Sequence, residues 1–383
     1  MNFIPYGKQD ITQEDEALVI ETLRGDWITQ GPMIDRFEKS LAEYTGAKYC
    51  SALNSATSAL HVACLALGVG QGDIVWTSPI SFVASSNCAL YCGANIDFVD
   101  IDPKTYNMSV DALSEKLAIA KKENKLPKVV IPVHLTGQSC EMKEIHKLAG
   151  EYGFKIIEDA SHAIGGKYLN QPVGNCKYSD ITVFSFHPVK IVTTAEGGAC
   201  LTNNEELFQK ISRLRTHGIT KDPGLMKGES HGPWYYEQHE LGFNYRITDI
   251  QAALGVSQLK RLDSYIDKRH EIAARYEEKL KSVDVELPFQ HSDTYNSYHL
   301  YVVLVDAEQR LKVFNKLRSS GIGVNVHYQP IYQQPYYERF NFNPKNYPHA
   351  ENYYNKAISL PMFPLLKEEE QSYICEQLKG CLS

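Results

Sequence analysis

The sequence predicts an α/β fold, with a mostly parallel central sheet and a smaller C-terminal α/β domain. Six short runs rich in β-branched residues alternate with segments of helical periodicity between residues 73 and 203. Such alternation is typical of βαβ units, which place helices on both faces of a parallel sheet. The length of 383 residues favours more than one domain, because single hydrophobic cores stop growing at about 250–300 residues.

Helical segments flank this alternation on both sides. Thr12 and Asp15 predict a capping box, with Asp in place of Glu, at the start of an amphipathic helix over 12–24. A second amphipathic helix ends at Gly46, and residues 247–285 contain few helix breakers. The predicted strands of the central sheet cover 73–78, 95–100, 128–135, 155–160, 180–186 and 198–203.

After Pro288 a smaller βαβ-like set follows. Its predicted elements are a strand over 298–305, a helix over 307–319, a strand over 323–328 and a last helix over 367–379. We therefore expect a large domain over 1–246, a linking helical region over 247–285 and a small domain over 286–383. The first residues of the chain are candidates for packing on the small domain.

Composition excludes several classes of protein. The net charge of -7 provides no basic excess for nonspecific nucleic-acid binding. No apolar run is long enough to span a bilayer, and the first residues lack the basic and apolar regions of a signal peptide. We therefore expect a cytoplasmic protein with no nucleic-acid or membrane partner.

The nine cysteines are scattered and form no CxxC pair. Cys88 and Cys92 share a helical face, but no histidine or carboxylate stands beside them at the spacing of metal ligands. We interpret them as small buried hydrophobic residues of a protein in a reducing compartment. We expect no metal site.

The most informative segment is FSFHPVKIVTTAEGG, residues 184–198. A near-apolar run ends in Phe186, and Lys190 follows a His-Pro break, so this lysine lies at the mouth of a buried strand. Burial disfavours the charged ammonium, lowers its pKa and yields a nucleophilic amine. Such amines form Schiff bases with carbonyl compounds, including pyridoxal phosphate (PLP). The alternative is a loop lysine in water.

Two further motifs have side chains and amides that could bind PLP, one at its phosphate and the other at its ring nitrogen. The first is the start of a helix. Asn54 and Ser55 cap a predicted helix, whose first residues Ala56 and Thr57 would offer two backbone amides and a hydroxyl to a phosphate. The alternative is an ordinary capped helix.

In KIIEDASHA, Asp159 ends an apolar strand and His162 follows three residues later. Ligands of open α/β sheets bind at the carboxyl ends of strands, where a carboxylate can pair with a protonated pyridine nitrogen. His162 can orient Asp159 or stack near the ring. Without that context, these residues would be a helix cap and a loop histidine.

Three other candidates come from the ends of predicted strands or the start of a helix. Phe82 could cover one face of a flat ring or belong to the core, and Gln138 offers a cofactor-binding amide or a plain turn. Asn244 and Arg246 precede a helix capped by Thr248. They could reach the site of another subunit or form a cap region.

The order of these motifs resembles that of a known family. SF-HPVK followed by TAEGG, EDASHA, and the Gly, Asn and Arg of GFNYR before DIQAAL resemble the fold-type-I PLP aminotransferases of nucleotide sugars, the DegT/DnrJ/EryC1/StrS family. The resemblance covers nearly the whole chain. NSATSAL, PISFVA, ALGVSQLK, VHYQPIYQ and ISLP are most similar to the branch that aminates a UDP-linked 4-keto sugar on the way to pseudaminic acid.

The resemblance implies roles for individual residues. Lys190 would carry PLP, Asp159 would face the pyridine nitrogen, and His162 completes the catalytic set. The cofactor would also contact Phe82, which would stack on its ring, and the phosphate-binding residues Ala56, Thr57, Ser185 and, from a neighbouring subunit, Asn244. The positions that match substrate contacts of this branch are Tyr6, Asp26, Trp27, Ile28, Thr29, His327, Tyr328, Gln329 and Pro330.

The implied enzyme is a homodimer with shared active sites that transfers an amino group from L-glutamate to a nucleotide sugar. Another 4-keto nucleotide sugar, of the GDP-perosamine or UDP-4-amino-arabinose type, is the alternative substrate. Two other classes remain. A PLP-dependent sugar dehydratase of this fold would carry His where Lys190 stands, and a noncatalytic regulator would usually carry a DNA-binding segment.

Overall fold

The computed structural model describes residues 3–382, so Met1, Asn2 and Ser383, at the outer limits of the predicted domains, lie outside the described residues. A central sheet of seven strands organises the chain. Its strands are β1 (Tyr49–Leu53), β2 (Ile74–Thr77), β3 (Asn95–Phe98), β4 (Val129–Ile131), β5 (Lys155–Asp159), β8 (Ile181–Ser185) and β9 (Gly198–Thr202). Their order across the sheet is β1-β9-β8-β5-β4-β2-β3.

The prediction of a mostly parallel α/β sheet is confirmed. Strands β3, β2, β4, β5 and β8 pair in parallel, whereas β9 runs antiparallel to both β8 and β1. All five residues of β8 and of β9 are buried, as expected for strands covered by helices on both faces. The strand β1 was not predicted, since its sequence YCSAL contains no β-branched residue.

Twelve helices accompany the sheets within residues 3–382. They are α1 (Gln13–Arg24), α2 (Pro32–Thr45), α3 (Ala56–Ala66), α4 (Ala84–Tyr91), α5 (Val110–Glu123), α6 (Met142–Tyr152), α7 (Glu205–Leu214), α8 (Asp249–Leu259), α9 (Leu262–Leu280), α10 (Arg310–Ser319), α11 (Pro348–Lys356) and α12 (Glu368–Leu382). None of them combines the length and the apolar character that a membrane span requires.

Short strands form three further small sheets. They are β6 (Lys167–Tyr168), β7 (Gln171–Pro172) and β12 (Thr294–Tyr295) in one sheet, β10 (Ile219–Thr220) and β11 (Glu237–Gln238) in a second, and β13 (Tyr301–Leu304) and β14 (Ala357–Leu360) in a third. The predicted βαβ-like set after Pro288 is wrong in one respect, because β13 and β14 pair antiparallel. Residues 323–328 form no strand and contribute only a single bridge between Asn325 and Ser359.

The helices α2 and α8 pack closely against each other and against the residue that follows β8. The predicted capping box is present at the start of α1, where the Thr12 N–H donates to Asp15 at 2.9 Å. The rings of Phe37 on α2 and Phe186 after β8 meet edge-on, with their centroids 5.1 Å apart. A Cβ on Gly255 of α8 would lie 2.6 Å from the Phe37 ring, so only glycine lets α8 approach α2 this closely.

Hydrogen bonds connect the first residues and the helix α9 to the C-terminal part of the chain. The Ile4 N–H donates to the Gly321 carbonyl at 2.9 Å, and Ile4 bridges Ile322. The buried guanidinium of Arg269 on α9 donates to the carbonyls of Tyr298, His299 and Met362 at 2.9–3.3 Å. The first residues therefore lie against the C-terminal elements. The division into domains at 246 and 286 stays a prediction.

Candidate active site

A cavity of about 330 Å³ opens where the carboxyl ends of β4, β5 and β8 meet the first turn of α3. This is the edge at which ligands bind to open α/β sheets. The predicted site residues that line it are Tyr6, Ala56, Thr57, Phe82, Asp159, His162, Ser185, Lys190, His327 and Tyr328. Residues from six separate segments of the sequence thus meet in one place.

Lys190 lies on the loop that connects the antiparallel strands β8 and β9. Backbone hydrogen bonds within the loop fix its conformation. The Lys190 N–H donates to the His187 carbonyl at 2.9 Å, and the Thr194 N–H donates to the Phe186 carbonyl at 3.0 Å. Burial lowers the pKa of the Lys190 ammonium to about 8, although the negative charge of Asp159 acts in the opposite direction. The amine is therefore a better nucleophile at neutral pH than that of an exposed lysine.

Asp159 ends β5 and presents a buried carboxylate to the cavity. The Ser85 hydroxyl donates to Oδ2 at 2.6 Å. Ser161 donates to Oδ1 through its hydroxyl at 2.6 Å and through its backbone N–H at 3.2 Å. These three donors satisfy the buried carboxylate oxygens and fix the orientation of the side chain.

A second buried network lies beside Asp159 on β5. His134 Nδ1 accepts the Cys140 N–H at 3.1 Å, so Nε2 carries the proton and donates to Glu158 at 2.8 Å. Burial opposes ionisation of Glu158, but hydrogen bonds from His134 and from the Ser179 and Thr182 hydroxyls outweigh it and lower its pKa. Successive residues of a strand point to opposite faces, so this pair anchors β5 from the face opposite Asp159.

The first turn of α3 forms the opposite end of the cavity. Ser55 caps the helix by accepting the Ser58 N–H at 3.1 Å. The N–H groups of Ala56 and Thr57 belong to the first turn, which has no intrahelical acceptors for them. A Cβ on Gly198 would lie 2.5 Å from the Ala56 nitrogen, so the glycine of β9 allows strand and helix to touch. Ser185, which lines the cavity, pairs with Gly198 in the β8–β9 ladder.

Two tyrosines and two histidines enclose the remaining side. The Tyr328 hydroxyl lies 3.2 Å from His162 Nε2, and the Tyr6 ring lies 5.4 Å from that of His327. Burial, and then the charge of Lys190, lower the pKa of His162 and bring that of His327 to about 3. Both imidazoles are therefore neutral at physiological pH. His162 Nδ1 is buried and has no hydrogen-bond partner among residues 3–382.

The donor set of the cavity fits PLP. Lys190 supplies an amine for an aldehyde, and Asp159 supplies a carboxylate for a cationic ring nitrogen. The first turn of α3 supplies amides for a phosphate, where the helix dipole also favours negative charge. Phe82 keeps 59% of its surface exposed at the cavity, so its ring is available to contact a planar group.

Gln138 is not among the residues that line the cavity, so its predicted cofactor contact stays a prediction that this geometry does not support. Its amide nitrogen donates to the Phe289 carbonyl at 3.0 Å. Its amide oxygen accepts the His291 N–H at 2.6 Å and the Thr294 hydroxyl at 3.0 Å. The side chain is buried, and these three hydrogen bonds fix the segment 289–294 to the sheet edge.

Other predicted residues lie outside the cavity of their own chain. Gln329 and Pro330 follow Tyr328, and the Gln329 amide oxygen accepts a hydrogen bond from Gln334. The remaining ones, on an exposed turn and an exposed stretch before α8, are Asp26, Trp27, Ile28, Thr29 and Asn244. A role in the site of the same subunit is not supported for these residues.

Sequence reasoning missed several polar residues of the site. Ser81, Ser161, Glu196 and Asn325 line the cavity. Ser161 had a local signal, because a serine two residues after an aspartate commonly hydrogen-bonds back to it. Ser85 had none, since its contact with Asp159 joins residues 74 positions apart.

Comparisons with known proteins agree with this geometry. A model of the DegT/DnrJ/EryC1/StrS aminotransferase family matches residues 9–379. A transaminase of Campylobacter jejuni named for UDP-4-amino-4,6-dideoxy-N-acetyl-β-L-altrosamine is 38% identical over 99% of this chain and 97% of its own. A GDP-perosamine synthase of Escherichia coli O157:H7 is 33% identical over 99% of this chain and 98% of its own.

Solved structures show the same fold over the full length. Helicobacter pylori PseC, an aminotransferase of pseudaminic acid biosynthesis, superposes with a TM-score of 0.91 at 32% identity and covers 100% of this chain and 99% of its own. The PLP form of a sugar aminotransferase from Streptococcus pneumoniae, Spr1654, superposes with a TM-score of 0.89 at 31% identity, covering 99% and 98%.

The contact between Gly198 and α3 gives a first test. In Gly198→Ala the new Cβ must push the first turn of α3 away, and such overpacking costs about 1–3 kcal/mol. We expect PLP to bind about tenfold more weakly, measured by spectroscopic titration of the cofactor-free protein. Gly70→Ala is the control, because its Cβ meets nothing within 4 Å. Equal PLP affinity in the two variants would contradict this assignment of the phosphate site.

The burial of Lys190 gives a second test. Trace acetylation of the cofactor-free protein across a pH series, followed by peptide mass spectrometry, reports when the amine loses its proton. We expect half-maximal reactivity near pH 8, where free peptides show about 10.4. Asp159→Asn should move the midpoint lower, because the Asp159 charge stabilises the ammonium. A midpoint near that of free peptides would show that Lys190 is solvated.

Proposed function

Because the chain belongs to the DegT/DnrJ/EryC1/StrS aminotransferase family and is a PLP-dependent sugar aminotransferase, we propose a specific reaction for it. The enzyme transfers the amino group of L-glutamate to C4 of UDP-2-acetamido-2,6-dideoxy-β-L-arabino-hex-4-ulose, in pseudaminic acid biosynthesis. The observation that carries the transfer chemistry is the convergence of Lys190, Asp159 and the first turn of α3 in one cavity. Similarity to the Campylobacter transaminase and to PseC supports the choice of sugar.

Each residue of the cavity has a separate role in the proposed reaction. Bound PLP supplies the carbonyl that carries the amino group and a cationic ring that withdraws electrons. The Lys190 amine would take the proton from Cα of glutamate as a general base and pass it to the cofactor, and in the second half-reaction it would take a proton back from the cofactor and deliver it to C4 of the sugar as a general acid. Asp159 holds the proton of the ring nitrogen. Glutamate leaves as 2-oxoglutarate before the keto sugar is aminated, because one carrier serves both substrates in turn.

Neutral imidazoles suit this division of roles. His162 and His327 stay neutral at physiological pH and do not gain a second ring proton, so Lys190 is the group beside Asp159 that exchanges protons in this range. The Tyr328 hydroxyl and His162 form one wall between the cofactor region and the segment 325–328. We assign to this wall, together with Tyr6, contact with the sugar.

A different 4-keto nucleotide sugar is the second candidate, and similarity to the GDP-perosamine synthase favours it. Recognition of the nucleotide and of the C4 configuration depends on a few hydrogen bonds to the substrate. A dehydratase of this fold would carry His at position 190, where this chain has Lys190. Burial lowers the pKa of the Lys190 amine to about 8, and such perturbed pKa values cluster at catalytic sites, which favours an enzyme over a noncatalytic scaffold.

We infer a homodimer in which one subunit completes the site of the other. Thr29 bridges Thr248, and Asn244 bridges Thr216, so the predicted substrate turn and the predicted phosphate contact both lie near the start of α8. Trp27 and Ile28 of that turn are 59% and 51% exposed. Apolar side chains exposed beside unused polar ones are typical of an interface between copies of a chain.

We also propose a cytoplasmic location and a division of the chain into a large and a small domain. All nine cysteines are free and eight are buried, which fits a reducing compartment such as the cytoplasm. We assign the PLP site to a large domain over 1–246, followed by the helical region over 247–285 and a small domain over 286–383.

Product mass tests the reaction. The holoenzyme is incubated with L-glutamate and each of several UDP-, GDP- and dTDP-linked 4-keto sugars, and the products are identified by mass spectrometry. We expect a 4-amino sugar from the UDP-linked substrate at the highest rate. Lys190→Ala should give no turnover, and Asp159→Ala should react slowly, by about 100-fold or more, because proton transfer loses its electron sink. Preference for a GDP sugar would replace the proposed substrate, and a deoxy keto sugar product would replace the reaction.

Mixed dimers test the shared site. Lys190→Ala and Asn244→Ala subunits, each inactive alone, are combined in equal amounts and allowed to exchange. Half of the random dimers then contain one intact site, so about a quarter of the wild-type activity should return. The dimers are counted by native mass spectrometry. Mixed dimers without activity would show that Asn244 does not serve the partner's site.

A further inference from the structure

We propose that Ser85 is a positioning residue for this reaction, which polarises Asp159 through a buried chain of hydroxyls that starts at Ser81. The inference concerns Asp159 Oδ2, whose hydrogen-bond donor Ser85 does not line the cavity, although Ser81 at the start of the chain does. It rests on the role proposed above for Asp159 and is independent of which sugar the enzyme uses.

The geometry gives the chain a direction. Ser85 lies in the first turn of α4, fully buried, and its hydroxyl is 2.6 Å from Asp159 Oδ2. The Ser81 hydroxyl is 2.7 Å from that of Ser85, and Ser81 is also buried. Each hydroxyl has one proton, and an ionised carboxylate can only accept. Ser85 therefore donates to Asp159 and must accept from Ser81.

The two oxygens of Asp159 are held differently. Oδ1 accepts from Ser161, which lines the cavity, whereas Oδ2 accepts from Ser85, which does not line it. A carboxylate offers about four acceptor sites, and Ser161 fills both of those on Oδ1 while Ser85 fills one on Oδ2, so the site that is left for a ring nitrogen is on Oδ2. Ser85 cannot touch the cofactor from this position. Any effect it has on the reaction must pass through Asp159.

The physical consequence is control of one proton. Hydrogen bonds to an ionised acceptor are short and about twice as strong as neutral ones, and each hydroxyl in a chain polarises the next. Removing the Ser85 hydroxyl leaves Oδ2 less stabilised as an anion, so Asp159 competes more strongly for the proton shared with the ring nitrogen. The ring then becomes a weaker electron sink.

The neighbouring residue provides a matched control. Ser86 is equally buried and lies on the same turn of α4. Its hydroxyl donates to the Val83 carbonyl at 3.0 Å and lies 2.5 Å from the Tyr337 hydroxyl, with no link to Asp159. Substitution of Ser86 by Ala removes one buried hydroxyl from the same helix. It leaves the chain from Ser81 to Asp159 unchanged.

The experiment follows the ring nitrogen itself. Holoenzyme is prepared with PLP labelled with ¹⁵N at that nitrogen, and its NMR shift distinguishes a protonated from a neutral ring in the resting enzyme. Ser85→Ala should move the resonance toward the neutral position, and Ser81→Ala should move it less in the same direction. Ser86→Ala should leave it in place. The rate of the glutamate half-reaction should fall by about tenfold in Ser85→Ala, with a KM for glutamate within about twofold of wild type.

Asp159→Asn separates this inference from the role of Asp159. If Asp159→Asn moves the resonance and folded Ser85→Ala does not, the Ser85 inference is overturned and the role of Asp159 stands. If neither substitution moves it, the role proposed for Asp159 fails as well. Should Ser85→Ala not fold, Ser81→Ala decides, because an unshifted resonance there would show that the hydroxyl chain has no effect on the ring.

Discussion

The structure depends on placing a buried carboxylate and an amine of lowered pKa in one cavity, at Asp159 and Lys190. Burial penalises both charges, so the two groups need different surroundings. Asp159 is surrounded by three hydrogen-bond donors from Ser85 and Ser161, which favour the anion. For Lys190, the attraction of Asp159 offsets only part of the effect of burial. The lowered pKa of Lys190 therefore suits this amine to proton transfer near physiological pH.

Sheet topology supplies this arrangement. Strands β5 and β8 are parallel neighbours, with Asp159 opposite Val183, so the residues that follow them emerge at one edge. The chain then turns through the Lys190 loop and returns in the antiparallel strand β9, which places Gly198 against the first turn of α3. The antiparallel return thus joins the amine end of the cavity to its phosphate end.

The parts of the site that local sequence specifies could be predicted. Lys190, Asp159 and the cap of α3 each lie where a strand or helix begins or ends, and the order of their motifs matched a family. Gln138 lies at such an end too, but its amide is used by the segment 289–294, which no local pattern connects to it. Ser85 escaped prediction for the same reason. The strand β1 forms through pairing with β9 and not through its own propensity.

The C-terminal part of the chain shows the same limit. Residues 323–328 have the alternation of a strand, yet only Asn325 bridges a partner strand, because the segment bends into the cavity wall at His327 and Tyr328. Its hydrophobic pattern reflects burial at an active site. Alternation alone does not distinguish that burial from the burial of a sheet.

The most direct test of this account is to find where the cofactor is attached. The holoenzyme is reduced with borohydride, digested and mapped by mass spectrometry for a pyridoxyl group. We expect the modification on the peptide that contains Lys190 and its absence when the protein is reduced without PLP. A pyridoxyl group on another lysine, with Lys190 unmodified, would contradict the central claim that the buried amine of this cavity carries the chemistry.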